Sequence, residues 1–221
     1  MEIKICGMTN LPDALSAYRY GADAVGFIFY SKSPRYIRPE TAMNIIKNLP
    51  REICKVGVFV NHDACEIKDI FHFCGLSLIQ LHGDESFEYC TQFPASMLIK
   101  AIPLGTQSDL HALHSYPVRA ILVDSRRQGQ YGGTGETSNW DLASRAKEIH
   151  PLILAGGLNE ENIQEAINTV SPHAVDLNTG VEDAPGRKNL EKIKNIIRLI
   201  RKIEKSQPKE MTGRDARIFI H

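Results

Sequence analysis

Short apolar runs alternate with longer amphipathic stretches along most of the chain. The runs begin near Ile3, Ala24, Cys54, Leu76, Met97, Ala120, Leu152 and Ala174, several of them bounded by Gly, Pro, Asn or Asp. Subtracting successive positions gives spacings of 21, 30, 22, 21, 23, 32 and 22 residues, about what a strand, a loop and a helix need together. Between the runs, Asp63 to Phe73 repeats Ala64, Ile67, Ile70 and Phe71 at helical spacing, and Leu190 to Ile203 does so with Leu190, Ile193, Ile197 and Ile200. Eight strand–helix units predict a parallel sheet covered by helices and closed on itself, an α/β fold of the single (β/α)8 TIM barrel type, over residues 1–205. An open doubly wound sheet often carries a G-x-G-x-x-G turn after its first strand, whereas Cys6-Gly7-Met8-Thr9-Asn10 stands here. Residues 206–221, with Pro208, Gly213 and the apolar triplet Ile218-Phe219-Ile220, form a C-terminal extension that reads equally as a packed segment or a frayed tail.

In such a barrel the chemistry sits at the carboxyl ends of the strands, and side chains alternate between the interior and the helices. Ile3 and Ile5 are therefore expected to face the helices and Lys4 and Cys6 the interior. The same alternation turns Gln80 and His82, Leu122 and Asp124, and Ala174 and Asp176 inward. Closure makes the first and eighth strands neighbours, so a buried Lys4 has Asp176 as its counter-ion. The two longest spacings place Tyr30 to Ile37, and Ser125 to Asn139 with Gly129, Gly132, Gly133 and Gly135, on the rim, the second in the position of a lid. After the seventh run comes Ala155-Gly156-Gly157-Leu158-Asn159, and after the eighth Asn178-Thr179-Gly180-Val181-Glu182. Glycine amides next to Asn178 and Thr179 suit a phosphate group without requiring net positive charge.

Charge and cysteine usage narrow the classes. The 221 residues carry 26 basic and 26 acidic side chains, so no overall field holds a polyanion and no nucleic-acid partner is expected. No run of about 18 apolar residues spans a bilayer, and the amino terminus enters a strand pattern without a signal-peptide core. The five cysteines, Cys6, Cys54, Cys65, Cys74 and Cys90, are odd in number and form no C-x-x-C pair, against a disulfide framework or a thiolate zinc site. A cytoplasmic setting is expected, with no metal, no cofactor and no membrane.

Several segments occur together and in order: Lys4-Ile5-Cys6-Gly7-Met8-Thr9; Gly26-Phe27-Ile28-Phe29 with Lys32-Ser33-Pro34-Arg35-Tyr36; Val56-Gly57-Val58-Phe59-Val60-Asn61; Gln80-Leu81-His82-Gly83; Val123-Asp124 with Gly132-Gly133-Thr134-Gly135; Leu154-Ala155-Gly156-Gly157-Leu158; and Val175-Asp176 with Gly180-Val181-Glu182. The set resembles the phosphoribosylanthranilate isomerase family, the tryptophan-pathway barrel, over about residues 1–190. The resemblance implies an Amadori rearrangement of a phosphosugar, with Cys6 as general base, Asp124 as general acid, Arg35 on the anthranilate and Gly156 and Gly157 on the phosphate. His82, Asp176, Asn178, Thr179 and Gly180 complete the expected substrate-binding set. The chain departs from the family where Asn178 and Thr179 replace two serines, and where Ser138 and Asn139 replace Phe-Asp before Trp140.

The chemistry read from the residues runs in the same direction. Ring opening needs a proton on the ribose ring oxygen, which a carboxylic acid supplies, and the next step needs a base on the other side of the substrate. Cys6 is expected at the open end, within reach of solvent and of Lys4 or Arg35, while the other four cysteines are assigned to structure. An inert buried thiol remains the alternative for Cys6, and a packed rim histidine the alternative for His82. A histidine-pathway isomerase, which generally has an aspartate where Cys6 stands, and a non-catalytic phosphate-binding barrel, which would lack the acid or the base, are the competing classes. A monomer is expected, with a homodimer as the alternative.

Overall fold

The computed structural model describes residues 1–124, 140–206 and 217–219. Eight parallel strands close into a barrel in chain order: β1 (Glu2–Ile5), β2 (Ala24–Ile28), β3 (Cys54–Phe59), β4 (Leu78–Leu81), β5 (Leu98–Ile102), β6 (Ala120–Val123), β7 (Leu152–Leu154) and β8 (Ala174–Leu177). β8 pairs back onto β1 with Lys4 in register with Asp176. The helices between them are α1 (Leu11–Tyr20), α2 (Pro39–Ile46), α3 (Ala64–Cys74), α4 (Phe87–Cys90), α5 (Gln107–Leu113), α6 (Trp140–Ala146), α7 (Ile163–Val170) and α8 (Leu190–Ser206). The expected barrel and its alternation are both present. The rim loop Ser125 to Asn139, with its expected lid role and the Ser138-Asn139 departure, lies outside the described residues. Among the described residues no helix is long and apolar enough to cross a membrane.

Local chemistry sets the element ends. The Asn10, Asp63 and Thr106 side chains each accept an amide from the first turn of α1, α3 and α5, and Thr106 shares a reciprocal capping box with Asp109, a device worth roughly 1 kcal/mol per cap. Two apolar runs begin before their strands. Gly75 closes α3 and Leu76 bonds back to Phe71, so β4 starts at Leu78, and Met97 closes a 3-10 turn ahead of Leu98. The strand–helix rhythm is weakest after β4, where α4 is a single turn.

Period-two patterning sorts the core into two bodies. Ile3, Ile5, Val25, Phe27, Phe59, Ile79, Leu81, Ile121, Val123, Leu154 and Val175 face outward into the helix layer. Ala24, Cys54, Val56, Leu78, Ile99, Ala120, Leu122, Ile153 and Ala174 fill the inside, and Ile218 and Phe219 of the extension join them. Most of these inner residues open their strands, so the extension closes the floor at the amino-terminal ends. Glu2 accepts the Ile218 amide at 2.5 Å and the Phe219 amide at 3.1 Å, while Arg119 Nε donates to the Ile218 carbonyl at 2.7 Å.

Candidate active site

Above this apolar floor the interior turns polar. A cavity of about 480 Å³ opens at the carboxyl ends of the strands, lined among others by Cys6, Arg35, Gln80, His82, Asp124, Gly156, Gly157, Asp176, Asn178 and Thr179. Of the expected catalytic and substrate-binding residues, all of them among the described residues, Gly180 alone does not line it. It sits in a 3-10 turn, Thr179–Val181, where an added Cβ would lie 2.0 Å from the Leu158 carbonyl oxygen. Only glycine lets the loops after β7 and β8 touch there. In the facing loop Gly156 and Gly157 both take left-handed backbone, with φ of 87° and 65°, and Asn162 Nδ2 holds the Gly157 carbonyl at 2.9 Å.

A ladder of side-chain bonds crosses the barrel below the cavity. Lys4 Nζ donates to Asp176 Oδ2 and to Gln80 Oε1, each at 2.7 Å. Gln80 Nε2 lies 2.8 Å from His82 Nδ1, and His82 Nε2 lies 3.2 Å from Asp124 Oδ2. The Lys4–Asp176 pair expected from barrel closure is thus formed. Burial alone would lower the Lys4 ammonium, but the Asp176 carboxylate and the neighbouring Cys6 outweigh it and hold Lys4 above its ordinary value. Asp124 Oδ1 and Asp176 Oδ1 are buried and have no hydrogen-bond partner among the described residues.

One expectation needs correction. Cys6 is not within reach of solvent; it is 4% exposed, and burial pushes its thiol up despite the nearby Lys4 and Lys188. Gly26 on β2 makes room for it, since a Cβ there would lie 2.7 Å from Cys6 Sγ and 3.1 Å from Lys4 Cε. The exposed cysteine is Cys65 in the first turn of α3. Cys54, Cys74 and Cys90 are buried, and burial raises their thiols to about 12, 11 and 11. Arg35 is ion-paired with Glu182. Its Nε bonds both Glu182 carboxylate oxygens at 3.0 Å and its Nη2 bonds Oε2 at 2.7 Å.

Sequence reasoning gave no role to Glu182 or Lys188, yet they organise this side of the site. Lys188 Nζ donates to Glu182 Oε1 at 2.8 Å and to Asn178 Oδ1 at 2.9 Å. Burial alone would raise the Glu182 carboxyl; Arg35 and Lys188 outweigh it and hold it below its ordinary value. The signal was Asp183-Ala184-Pro185-Gly186, a turn sequence. It folds β9 (Glu182–Ala184) against β10 (Arg187–Lys188) and returns Lys188 over the mouth. Among the described residues no cluster of three or more His, Cys, Asp or Glu side chains is arranged to hold a metal ion.

Residues 3–199 match the family model described as N-(5'phosphoribosyl)anthranilate (PRA) isomerase. The chain belongs to this family. A relative from Syntrophus aciditrophicus named N-(5'-phosphoribosyl)anthranilate isomerase is 54% identical over 203 residues, covering 92% of this chain and 88% of its own. One of that name from Geobacter sulfurreducens is 48% identical over 198 residues, with 90% and 97% covered. The crystal structure of phosphoribosyl anthranilate isomerase from Thermotoga maritima superposes with a TM-score of 0.84 at 42% identity, covering 91% of this chain and 99% of that one. A phosphoribosyl anthranilate isomerase solved in complex with reduced 1-(o-carboxyphenylamino)-1-deoxyribulose 5-phosphate superposes with a TM-score of 0.79 at 40% identity, covering 90% and 97%. Residues 200–221, and with them the floor segment, lie outside the family match.

Proposed function

We propose that the chain converts N-(5-phosphoribosyl)anthranilate to 1-(2-carboxyphenylamino)-1-deoxyribulose 5-phosphate in tryptophan biosynthesis, with Asp124 as general acid and Cys6 as general base. The observation that carries the assignment is a half-buried Asp124 whose buried Oδ1 has no partner among the described residues, lining the same cavity as Cys6. The two come from β6 and β1, well apart around the ring, which leaves the substrate between them.

Asp124 gives its proton to the ribose ring oxygen as the C1–O bond breaks and the aryl nitrogen lone pair forms the C=N bond. Cys6 then removes the proton from C2. The electron pair left by that proton forms the C1–C2 enamine, and tautomerisation of the C2 hydroxyl gives the ketone. C1 is reduced and C2 oxidised within one molecule, so the step balances without a redox cofactor. Burial raises the thiol, so the base is its minor thiolate form, reached when the thiol proton leaves into the cavity that Cys6 lines before C2 lies against it, and the charges of Lys4 and Lys188 lower the cost of that thiolate.

The binding roles follow from what each group has left to offer. Glu182 fixes the Arg35 guanidinium through Nε and Nη2, so Nη1 is the donor for the anthranilate carboxylate. Gly156, Gly157 and Thr179 supply amides to the phosphate, Gly180 lets their two loops meet, and Lys188 bonds the oxygen of the Asn178 amide, so the Asn178 nitrogen is the group turned to the ligand. Asp176 Oδ1 accepts a ribose hydroxyl, and His82 borders the ring. The partner is this small phosphosugar, the setting the cytoplasm, and the assembly a monomer; sedimentation distinguishes it from a dimer, the form from which monomers of a Thermotoga maritima relative were generated. Incubation with freshly made phosphoribosylanthranilate, following the loss of its fluorescence, tests the activity: acceleration over the unaided decay is expected, and none would sink the assignment.

A further inference from the structure

The bonds crossing the barrel have a direction. An ammonium has only donors, so Lys4 Nζ at 2.7 Å from both partners donates to Gln80 Oε1 as well as to Asp176. That fixes the Gln80 amide. Its oxygen faces Lys4, and its NH2 faces His82 Nδ1 at 2.8 Å, so Nδ1 accepts and carries no proton. The imidazole proton is then on Nε2, which is directed at Asp124 Oδ2 at 3.2 Å. Every link from Lys4 to Asp124 donates the same way. Oδ2 is thereby occupied as an acceptor, and Oδ1, which has no partner among the described residues, is left to hold the acid's proton.

We propose that Gln80 is a positioning residue for the rearrangement: held by Lys4, it fixes His82 in the Nε2–H tautomer, which occupies Asp124 Oδ2 as an acceptor and thereby assigns the transferable proton of Asp124 to Oδ1. The proposal rests on the reading of Asp124 as general acid. Gln80 is 1% exposed and acts only through His82. A carboxylate in its place still accepts from Lys4 but accepts from His82 as well, drawing the imidazole proton to Nδ1 and presenting a bare Nε2 to Asp124. The acid's proton is then captured in a hydrogen bond from Oδ2 to Nε2 and is no longer free to transfer.

The test combines 15N NMR of the histidine side chains with steady-state kinetics on the full chain, for the parent, Gln80→Glu and Gln80→Met. The parent is expected to show His82 with a protonated Nε2 and a bare Nδ1, and Gln80→Glu the reverse. Both variants should lose about tenfold or more in kcat with KM nearly unchanged, the behaviour of a wrong tautomer beside a correctly bound substrate. Gln80→Met has nearly the shape of glutamine and brings no buried charge, so it carries the kinetic arm if Gln80→Glu does not fold. A parent His82 protonated on Nδ1, parental kcat in both variants, or a loss falling wholly on KM would overturn the proposal. Asp124→Asn run alongside separates the two readings: near-parental turnover there defeats the acid assignment, whereas the tautomer is read in the resting protein without substrate.

Discussion

At the floor of the barrel, Ile218 and Phe219 pack among Ala24, Cys54, Leu78, Ala120 and Ala174; at the mouth, the same interior holds Lys4, Gln80, Asp176, His82 and Asp124 in one bonded ladder. The floor is closed to water, whereas the mouth opens into the cavity and keeps its charged groups largely buried. The floor removes apolar surface, which stabilises by roughly 25 cal/mol per Å² and demands little in orientation. The mouth buries charge, which is tolerated only because each group has a partner in register, as Lys4 and Asp176 do. Two carboxylate oxygens there, Asp124 Oδ1 and Asp176 Oδ1, still lack one among the described residues. Stability is thus concentrated at one end and unsatisfied polarity at the other, and substitutions at the two ends should separate accordingly.

The largest effect is expected at the mouth. Asp124→Asn and Cys6→Ser should each lower kcat by about 10² to 10⁴, the range for losing one proton-transfer partner, with thermal unfolding close to parental. Near-parental turnover in either variant would remove that residue from its role. At the floor the reverse is expected. Phe219→Ala removes a side chain 5% exposed and should cost about 3 kcal/mol of stability by denaturant titration, while kcat stays parental. An equal loss of kcat would show that the two ends are coupled, and the contrast between them would fail.

How much of this was legible depends on the distance over which each contact is decided. Ile3-Lys4-Ile5-Cys6 states its own alternation, and barrel closure alone brings Lys4 to Asp176, so both the ladder's root and the residues lining the cavity were readable. The Arg35–Glu182 contact joins positions 147 apart and repeats with no period, so no local pattern announces it. The burial of Cys6 was missed for a related reason. Its access is decided by neighbours on other elements, Gly26 on β2 and the hairpin that carries Lys188, rather than by its place at a strand end. Ile218-Phe219 was recognisable as apolar, but only the folded chain shows that Glu2 and Arg119 fasten it beneath the barrel.

A smaller effect refines the picture of the mouth without emptying it. Gly26→Ala places a methyl group 2.7 Å from Cys6 Sγ, so the thiol must move by several tenths of an ångström. Misplacement on that scale should cost about tenfold in kcat, with KM for substrate little changed because Arg35 and the glycine loops are untouched. Parental kcat would show that the position of Cys6 is not critical, and would weaken its assignment as the base.

The smallest effect lies in the acid limb of stability. Glu182 is held below its ordinary value of 4.5 by Arg35 and Lys188, so its folded form binds a proton less readily than its unfolded form. The sign follows from that difference: the contribution is fully present above about pH 4.5 and is lost as pH falls from there through the folded value. Glu182→Gln, which cannot titrate, should make the slope of stability against pH shallower in that window by at most one proton, about 1.4 kcal/mol per pH unit. It should leave the neutral region displaced but flat, because Arg35 and Lys188 lose their counter-charge at every pH. Denaturant titrations between pH 3 and pH 7 measure both quantities. An unchanged acid slope would mean that Glu182 is already protonated or solvated in the folded chain, and that the cluster fastening Arg35 is held by packing rather than by charge.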